Sequence, residues 1–186
     1  HKTCLRFGCT SFVPTLITAS EAEIHKAVDV ALSFYRKYPY AILGVHIEGP
    51  FISPKRRGTH NPNYIMPIDE KMTAFFCEKV KEIPIFLTLA PEENDIKYIR
   101  RLAQAGVHVS LGHTNGTYEQ AAEGIANGVS MATHLFNAMS PFESREPGVV
   151  GAVLNTPIYT GIIVDGMHSS FNSVNLVKKI KQDRLY

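Results

Sequence analysis

The sequence contains few cysteines, three among 186 residues. Cys4, Cys9 and Cys77 follow no metal-binding or redox spacing, and Cys4 and Cys9 do not form a CxxC pair. A small, odd number of scattered thiols argues against a disulfide-stabilised secreted domain. We therefore expect a reducing, cytoplasmic setting.

Strong charge and long apolar runs are also missing. The net charge is +2, and the densest basic stretch, Lys55-Arg56-Arg57, is typical of a solvated loop rather than a nucleic-acid surface. No apolar run approaches transmembrane length, and the start does not resemble a signal peptide. We expect neither a nucleic acid nor a membrane as partner.

Several common catalytic motifs are absent as well. The sequence has no GxGxxG, no Walker loop and no Gly-x-Ser-x-Gly elbow. Its hydrophobic fraction of 45% and charged fraction of 19% lie in the ordinary globular range, and 186 residues suffice for one sizeable core.

Strand-like and helix-like segments alternate along the chain. A capping box of Ser20 with Glu23 predicts a helix over 21–37, and Asp69 and Asn172 are expected to cap later helices. The predicted strands are 12–17, 42–47, 83–89, 107–111, 129–133 and 161–164, and the other predicted helices are 70–81, 92–105, 117–126 and a last one ending near 181. This order predicts βαβ units around a parallel sheet, as in part of a (β/α)8 barrel.

The chain also looks like an internal piece of a longer protein. It opens on His1 without an initiator Met, and we expect a new strand to begin at 184–186. Because a whole barrel typically needs about 250 residues, we expect at least one end to lie outside this sequence.

Acid and imidazole groups stand at the ends of predicted strands. Glu48 ends one strand, and His113 and His134 follow two others. Alone, Glu48 could equally be a buried ion-pair acid, and each histidine could be an ordinary core or loop residue. Together they form a donor set common for catalytic zinc, although Fe, Mn or Co would also fit. Such a metal lowers the pKa of a coordinated water to about 7.

Further polar residues stand in predicted loops. His60 and His168, taken singly, are best read as ordinary loop histidines. Asn137-Ala138 offers a side-chain amide and a backbone N–H. Arg145 has the forked donors that suit phosphate, although most loop arginines are merely solvated.

Five segments together resemble the N-acetylglucosamine-6-phosphate deacetylase family of the amidohydrolase superfamily. They are His46-Ile47-Glu48-Gly49-Pro50-Phe51, Gly58-Thr59-His60-Asn61-Pro62, Leu111-Gly112-His113-Thr114, Thr133-His134-Leu135-Phe136-Asn137-Ala138-Met139 and Asp165-Gly166-Met167-His168. The resemblance covers essentially the whole chain, and it is the set of motifs in this order that is specific. It implies a single catalytic-barrel fragment over 1–186, a partial TIM barrel of the metal-dependent type that lacks the first and last barrel strands.

The resemblance also implies a role for each candidate. Glu48, His113 and His134 would bind a divalent metal, most simply zinc, and His60 would polarise the acetamido carbonyl. The sugar phosphate would be bound by Asn137, Ala138, His168 and Arg145, the last reaching into the neighbouring subunit of a homodimer. The substrate would be N-acetylglucosamine 6-phosphate, hydrolysed in amino-sugar catabolism.

Two parts of the family pattern have no match here. The general acid/base of the family is an Asp in a Thr-Asp-Ala motif, and Asp165 and Asp183 lie outside such a motif. The N-terminal segment, which can carry further metal ligands, is also missing, so one metal or two are equally open. From these residues alone we expect weak metal binding, poor stability and no turnover. The alternatives are another metal-dependent amidohydrolase, such as a cyclic amidase or an adenosine-type deaminase, or a non-catalytic remnant that binds metal or sugar phosphate.

Overall fold

A computed structural model describes residues 2–186 and contains one parallel sheet. Its six strands are hydrogen-bonded in chain order: β1 Thr15–Ile17, β2 Val45–Glu48, β3 Ile85–Leu89, β4 His108–Leu111, β5 Met131–Ala132 and β6 Tyr159–Thr160. The helices are α1 Lys2–Leu5, α2 Glu21–Lys37, α3 Glu70–Lys79, α4 Ile96–Ala105, α5 Tyr118–Ala126, α6 Gly148–Leu154 and α7 Phe171–Lys181. Sequential parallel strands with a helix in most crossovers confirm the predicted partial barrel.

The side chains on the two faces of the sheet have different surroundings. Along β2, Val45 and Ile47 are buried in the core, while His46 and Glu48 point to the opposite face. His46 lines a cavity of about 240 Å³ together with Phe86 and Ser110. Because successive strand residues face opposite sides, one face packs the helices and the other forms the barrel interior.

Helix α2 forms as the sequence predicts. Ser20 and Glu23 make both hydrogen bonds of the capping box. The buried residues of this helix are Ile24, Val28, Ala31 and Leu32. Their spacing of three and four residues places them on one face against the sheet.

Two predictions near the C-terminal part were wrong in position, and one helix there was missed. The sixth strand is Tyr159–Thr160 rather than 161–164, because the residue pairing with β5 ends at Thr160. Helix α7 is capped by Ser170 instead of Asn172, since the Ser170 side chain accepts from the Ser173 N–H. Helix α6, rich in Gly and Val, was not predicted.

The strand predicted to begin at 184–186 is confirmed in outline. Leu185 forms a parallel bridge with Thr160, and the Tyr186 N–H donates to the Thr160 carbonyl. Among the helices of residues 2–186, none is long and apolar enough to cross a membrane.

The long loop 49–67 is fixed by one buried amide. Asn94 donates to the carbonyls of Phe51 and Ala90 and accepts from the N–H of Ile68, each at 2.7 Å. The bonds to Phe51 and Ile68 join the two ends of the loop after β2 to the connection between β3 and α4, and the bond to Ala90 holds Asn94 within that connection. The loop carries His60, so Asn94 helps to position the candidate site.

We predict that Asn94→Ala destabilises the protein by about 2–4 kcal/mol, since three hydrogen bonds are lost and their partners stay buried. Chemical denaturation measures the change in unfolding free energy. Asn63→Ala is the matched control, because Asn63 is exposed and its side chain makes no hydrogen bond within residues 2–186. Equal stability of the two variants would contradict the assignment.

Candidate metal centre

The three predicted ligands meet at one edge of the sheet. Glu48 is the last residue of β2, and His113 and His134 each come two residues after a strand, β4 and β5. Both histidines adopt left-handed backbone conformations, with φ of 48° and 38°. Such conformations are uncommon for non-glycine residues and here turn each imidazole toward Glu48.

The distances within this group are short. Oε1 of Glu48 lies 3.0 Å from Nε2 of His113 and 2.9 Å from Nε2 of His134, and the two Nε2 atoms are 3.1 Å apart. A tetrahedral zinc with bonds of about 2.0–2.1 Å separates its ligands by roughly 3.3 Å. The three atoms therefore need to move apart by only a few tenths of an ångström to hold such an ion.

The tautomer of His113 also favours a cation at this point. Nδ1 of His113 lies 2.8 Å from the Arg56 carbonyl, which can only accept, so Nδ1 carries the proton. Neutral His113 then presents the lone pair of Nε2 to the Glu48 carboxylate. Two facing lone pairs at 3.0 Å require a proton or a metal ion between them.

The Glu48 carboxyl is mostly buried yet ionised. Burial alone would raise its pKa, but the adjacent imidazoles of His113 and His134 hold the pKa far below its usual range. His134 is also under-satisfied, because its buried Nδ1 has no hydrogen-bond partner within residues 2–186. An ionised, buried carboxylate beside two imidazoles suits a divalent cation.

His60 lies beside this group and differs from it chemically. It is 3% exposed, and one donor atom each of Glu48, His60 and His113 lie within 4.8 Å of one another. Its Nδ1 accepts the N–H of Thr18, so neutral His60 carries its proton on Nε2. Burial lowers the pKa of His60 to about 4, and the neighbouring His113 adds to this effect. The shorter distances favour His134 over His60 as third ligand and leave His60 as a neutral donor.

A chain of hydrogen bonds crosses the barrel interior next to the ligands. Thr15 contacts Nδ1 of His46 at 3.0 Å, and Nε2 of His46 contacts Thr88 at 2.7 Å. Thr133, the neighbour of His134, contacts Thr88 at 2.8 Å and Ser110 at 2.7 Å. No site role was predicted for these residues, although His46 lies on the same strand face as Glu48 and strand alternation could have indicated it.

A second network holds the segment after His113. Glu92 accepts from Thr114 Oγ1 at 2.5 Å and from the Asn115 N–H at 2.6 Å. The Asn115 amide oxygen accepts from Nε of Arg56 at 2.9 Å. Since the Arg56 carbonyl accepts from Nδ1 of His113, the network supports this candidate ligand through its second ring nitrogen, an arrangement common at metal sites.

The remaining candidate residues lie in loops, apart from the group of Glu48, His113 and His134. Asn137 and Ala138 follow His134 in half-buried positions, with Asn137 Nδ2 donating to the Leu135 carbonyl. Arg145 is exposed, and its side chain makes no hydrogen bond or ion pair with any described residue. His168 is exposed and bonds through Nδ1 to Asp165 at 2.7 Å, which lowers the Asp165 pKa to about 2.

The fold and the donor set define a parallel α/β barrel protein with a candidate metal centre at the carboxyl ends of its strands. A sequence model of the amidohydrolase family matches residues 1–186. The chain belongs to the amidohydrolase family.

Several similar proteins are named N-acetylglucosamine-6-phosphate deacetylases. The N-acetylglucosamine-6-phosphate deacetylase of Haemophilus influenzae is 46% identical over 186 residues, which are 100% of this chain and 49% of that protein. The crystal structure of the N-acetylglucosamine-6-phosphate deacetylase from Pasteurella multocida aligns with a TM-score of 0.91 at 44% identity, covering 95% of this chain and 46% of that one.

A third comparison includes a bound substrate. A mutant N-acetyl-D-glucosamine-6-phosphate deacetylase from Mycobacterium smegmatis, in complex with N-acetyl-D-glucosamine-6-phosphate, aligns with a TM-score of 0.87 at 31% identity and coverage of 95% and 46%. This chain therefore spans about half the length of the relatives it matches.

We predict that His113→Ala weakens Zn²⁺ binding by about a hundredfold or more, because loss of a direct ligand exceeds the 10–100-fold cost of losing its supporting partner. Chelator competition and elemental analysis measure the change. His108→Ala is the matched control, since His108 is an exposed histidine at the start of β4, the strand that precedes His113. Undiminished metal content in the His113 variant would remove this residue from the site.

Proposed function

We propose that this chain is part of an enzyme that hydrolyses the N-acetyl group of N-acetylglucosamine 6-phosphate to glucosamine 6-phosphate and acetate. The observation that carries the proposal is the convergence of Glu48, His113 and His134 beside the neutral donor His60. The names of the similar proteins support the same reaction. The enzyme would act in amino-sugar catabolism in the cytoplasm, as a homodimer of a longer chain.

Glu48, His113 and His134 would hold a divalent metal, and zinc suits this oxygen and nitrogen donor set best. Fe, Mn or Co share these ligands, so the identity of the metal is a separate measurement. When bound, the metal would activate water as the nucleophile and polarise the carbonyl of the substrate.

The residues of the chain would then orient the substrate. His60 would donate from Nε2 to the acetamido oxygen as negative charge develops there. The water oxygen adds to the carbonyl carbon, the carbon–nitrogen bond breaks, and the sugar nitrogen leaves with a proton. The acid/base that transfers this proton has no match in this chain and would come from a residue outside it.

The phosphate group would be bound at the loops around the same edge of the sheet. Asn137 and Ala138 follow a ligand directly, and His168 lies in the loop after β6. Arg145 is exposed and unpaired within residues 2–186, and its loop is held by Glu146, which accepts the N–H groups of Tyr118 and Gly148. An unpaired guanidinium on a fixed loop is suited to bind the phosphate of a substrate held in the neighbouring subunit.

The direct test is acetate release by the purified natural protein, loaded with Zn²⁺, from N-acetylglucosamine 6-phosphate. We expect acetate and glucosamine 6-phosphate in equal amounts. Its intact mass is measured in parallel, because these residues alone weigh 20.7 kDa and the relatives are about twice as long. Hydrolysis of a cyclic amide, or deamination of adenosine, with the acetamido sugar untouched would favour another amidohydrolase.

We predict that Arg145→Ala raises the KM for the phosphorylated sugar about ten- to a hundredfold, as one charge-assisted contact is lost. The KM for N-acetylglucosamine without phosphate should stay within about twofold. Arg6→Ala serves as control, because Arg6 is an exposed arginine whose side chain makes no hydrogen bond within the described residues. An equal rise for both sugars would overturn the phosphate role.

A further inference from the structure

Thr18 occupies a buried position between β1 and the turn that follows Glu48. It is 6% exposed. Gly49 has a φ of +79°, and a Cβ added there would lie 2.3 Å from Thr18 Oγ1. The absence of a side chain at Gly49 therefore leaves the space that the Thr18 hydroxyl fills.

The hydroxyl and the backbone N–H of Thr18 both point to one ring nitrogen of His60. Oγ1 lies 2.7 Å from Nδ1, and the backbone nitrogen lies 3.3 Å from the same atom. A backbone N–H can only donate, so Nδ1 must present its lone pair, and the hydroxyl then donates as well. Neutral His60 consequently holds its proton on Nε2.

The neighbouring ring is held in the opposite state. The Arg56 carbonyl keeps the proton of His113 on Nδ1 and leaves a lone pair on Nε2. The ring centroids of His60 and His113 are only 4.3 Å apart. Two adjacent imidazoles thus offer different groups to the same site, a lone pair from His113 and an N–H from His60.

This difference has a chemical consequence for His60. A lone pair on its Nε2 would make the ring a further metal ligand, since its donor atom lies within 4.8 Å of those of Glu48 and His113. That lone pair would also face the carbonyl oxygen of the substrate, and the two partial negative charges would repel each other. A proton on Nε2 instead gives a donor to that oxygen.

We propose that Thr18 is a positioning residue that fixes the tautomer of His60, so that Nε2–H donates to the substrate carbonyl and the ring does not ligate the metal. This inference rests on the proposed deacetylase function. Thr18 acts through His60 and does not itself touch the substrate.

The test compares Thr18→Val, which keeps the shape and loses the hydroxyl, with Thr18→Ser, which keeps the hydroxyl, in the complete natural chain. We expect Thr18→Val to lower kcat roughly tenfold, a part of the loss seen when a whole oxyanion donor is removed, with KM within about threefold. Thr18→Ser should restore kcat to within about threefold of the parent. Thr59→Val is the matched control, because Thr59 is exposed next to His60 in the loop 49–67 and its hydroxyl makes no hydrogen bond among residues 2–186.

A second readout does not depend on turnover. The ¹⁵N shifts of labelled histidine, assigned by comparison with His60→Gln, report which ring nitrogen carries the proton. We expect one tautomer protonated at Nε2 in the parent and Thr18→Ser proteins. In Thr18→Val the short hydroxyl contact is lost and only the longer 3.3 Å contact of the backbone N–H remains, so we expect a mixture. Should Thr18→Val fail to fold, Thr18→Ala is measured in its place with the same expectations.

The outcomes separate this inference from the proposed function. An unchanged kcat and an unchanged tautomer in the Thr18 variant, with His60→Gln inactive, would overturn the role of Thr18 alone. Full acetate release by His60→Gln would overturn the role of His60 and with it this inference. No acetate release by the parent protein would instead remove the proposed function.

Discussion

The whole site depends on one electrostatic constraint at the end of β2. The ionised Oε1 of Glu48 lies 2.9 to 3.0 Å from two imidazole nitrogens, and the proton of His113 is held on its far side. Such an arrangement is repulsive until a cation stands between the atoms. The left-handed backbone at His113 and His134, and the networks through Arg56 and Glu92, serve to keep these atoms together against that repulsion.

The order of strands and the residues at their ends explain how much of the site could be predicted from the sequence. Glu48, His113 and His134 stand at strand ends, and parallel strands bring such residues to one edge, so their meeting followed from the pattern. The capping box at Ser20 was likewise local and correct. The sixth strand was misplaced because Gly161–Val164 is the more apolar run, while hydrogen bonding to β5 selects Tyr159–Thr160. Propensity could not decide between them, since the choice is made by the neighbouring strand.

The supporting residues could not be predicted for a different reason. Thr18 and His60 are 42 residues apart, and Arg56 and His113 are 57 apart. Neither pair follows a period or a motif, because each depends on how a loop returns across the sheet edge. A threonine after a short strand and a carbonyl in a basic loop carry no distinctive signal in a single sequence. The helix α6 was missed in a similar way, as its glycines and valines have low helix propensity and its burial provides the stability.

One loop links all of these features. Residues 49–67 begin directly after Glu48, contain the Arg56 carbonyl that sets the tautomer of His113, and contain His60 itself. Asn94 fixes the start and the end of this loop by bonds to Phe51 and Ile68. A small displacement of the loop would therefore disturb His113, the proposed ligand, and His60, the proposed donor to the substrate carbonyl, at the same time. The different roles proposed for the two imidazoles thus depend on the loop position, and a site of this kind requires the loop to be rigid rather than a mobile lid.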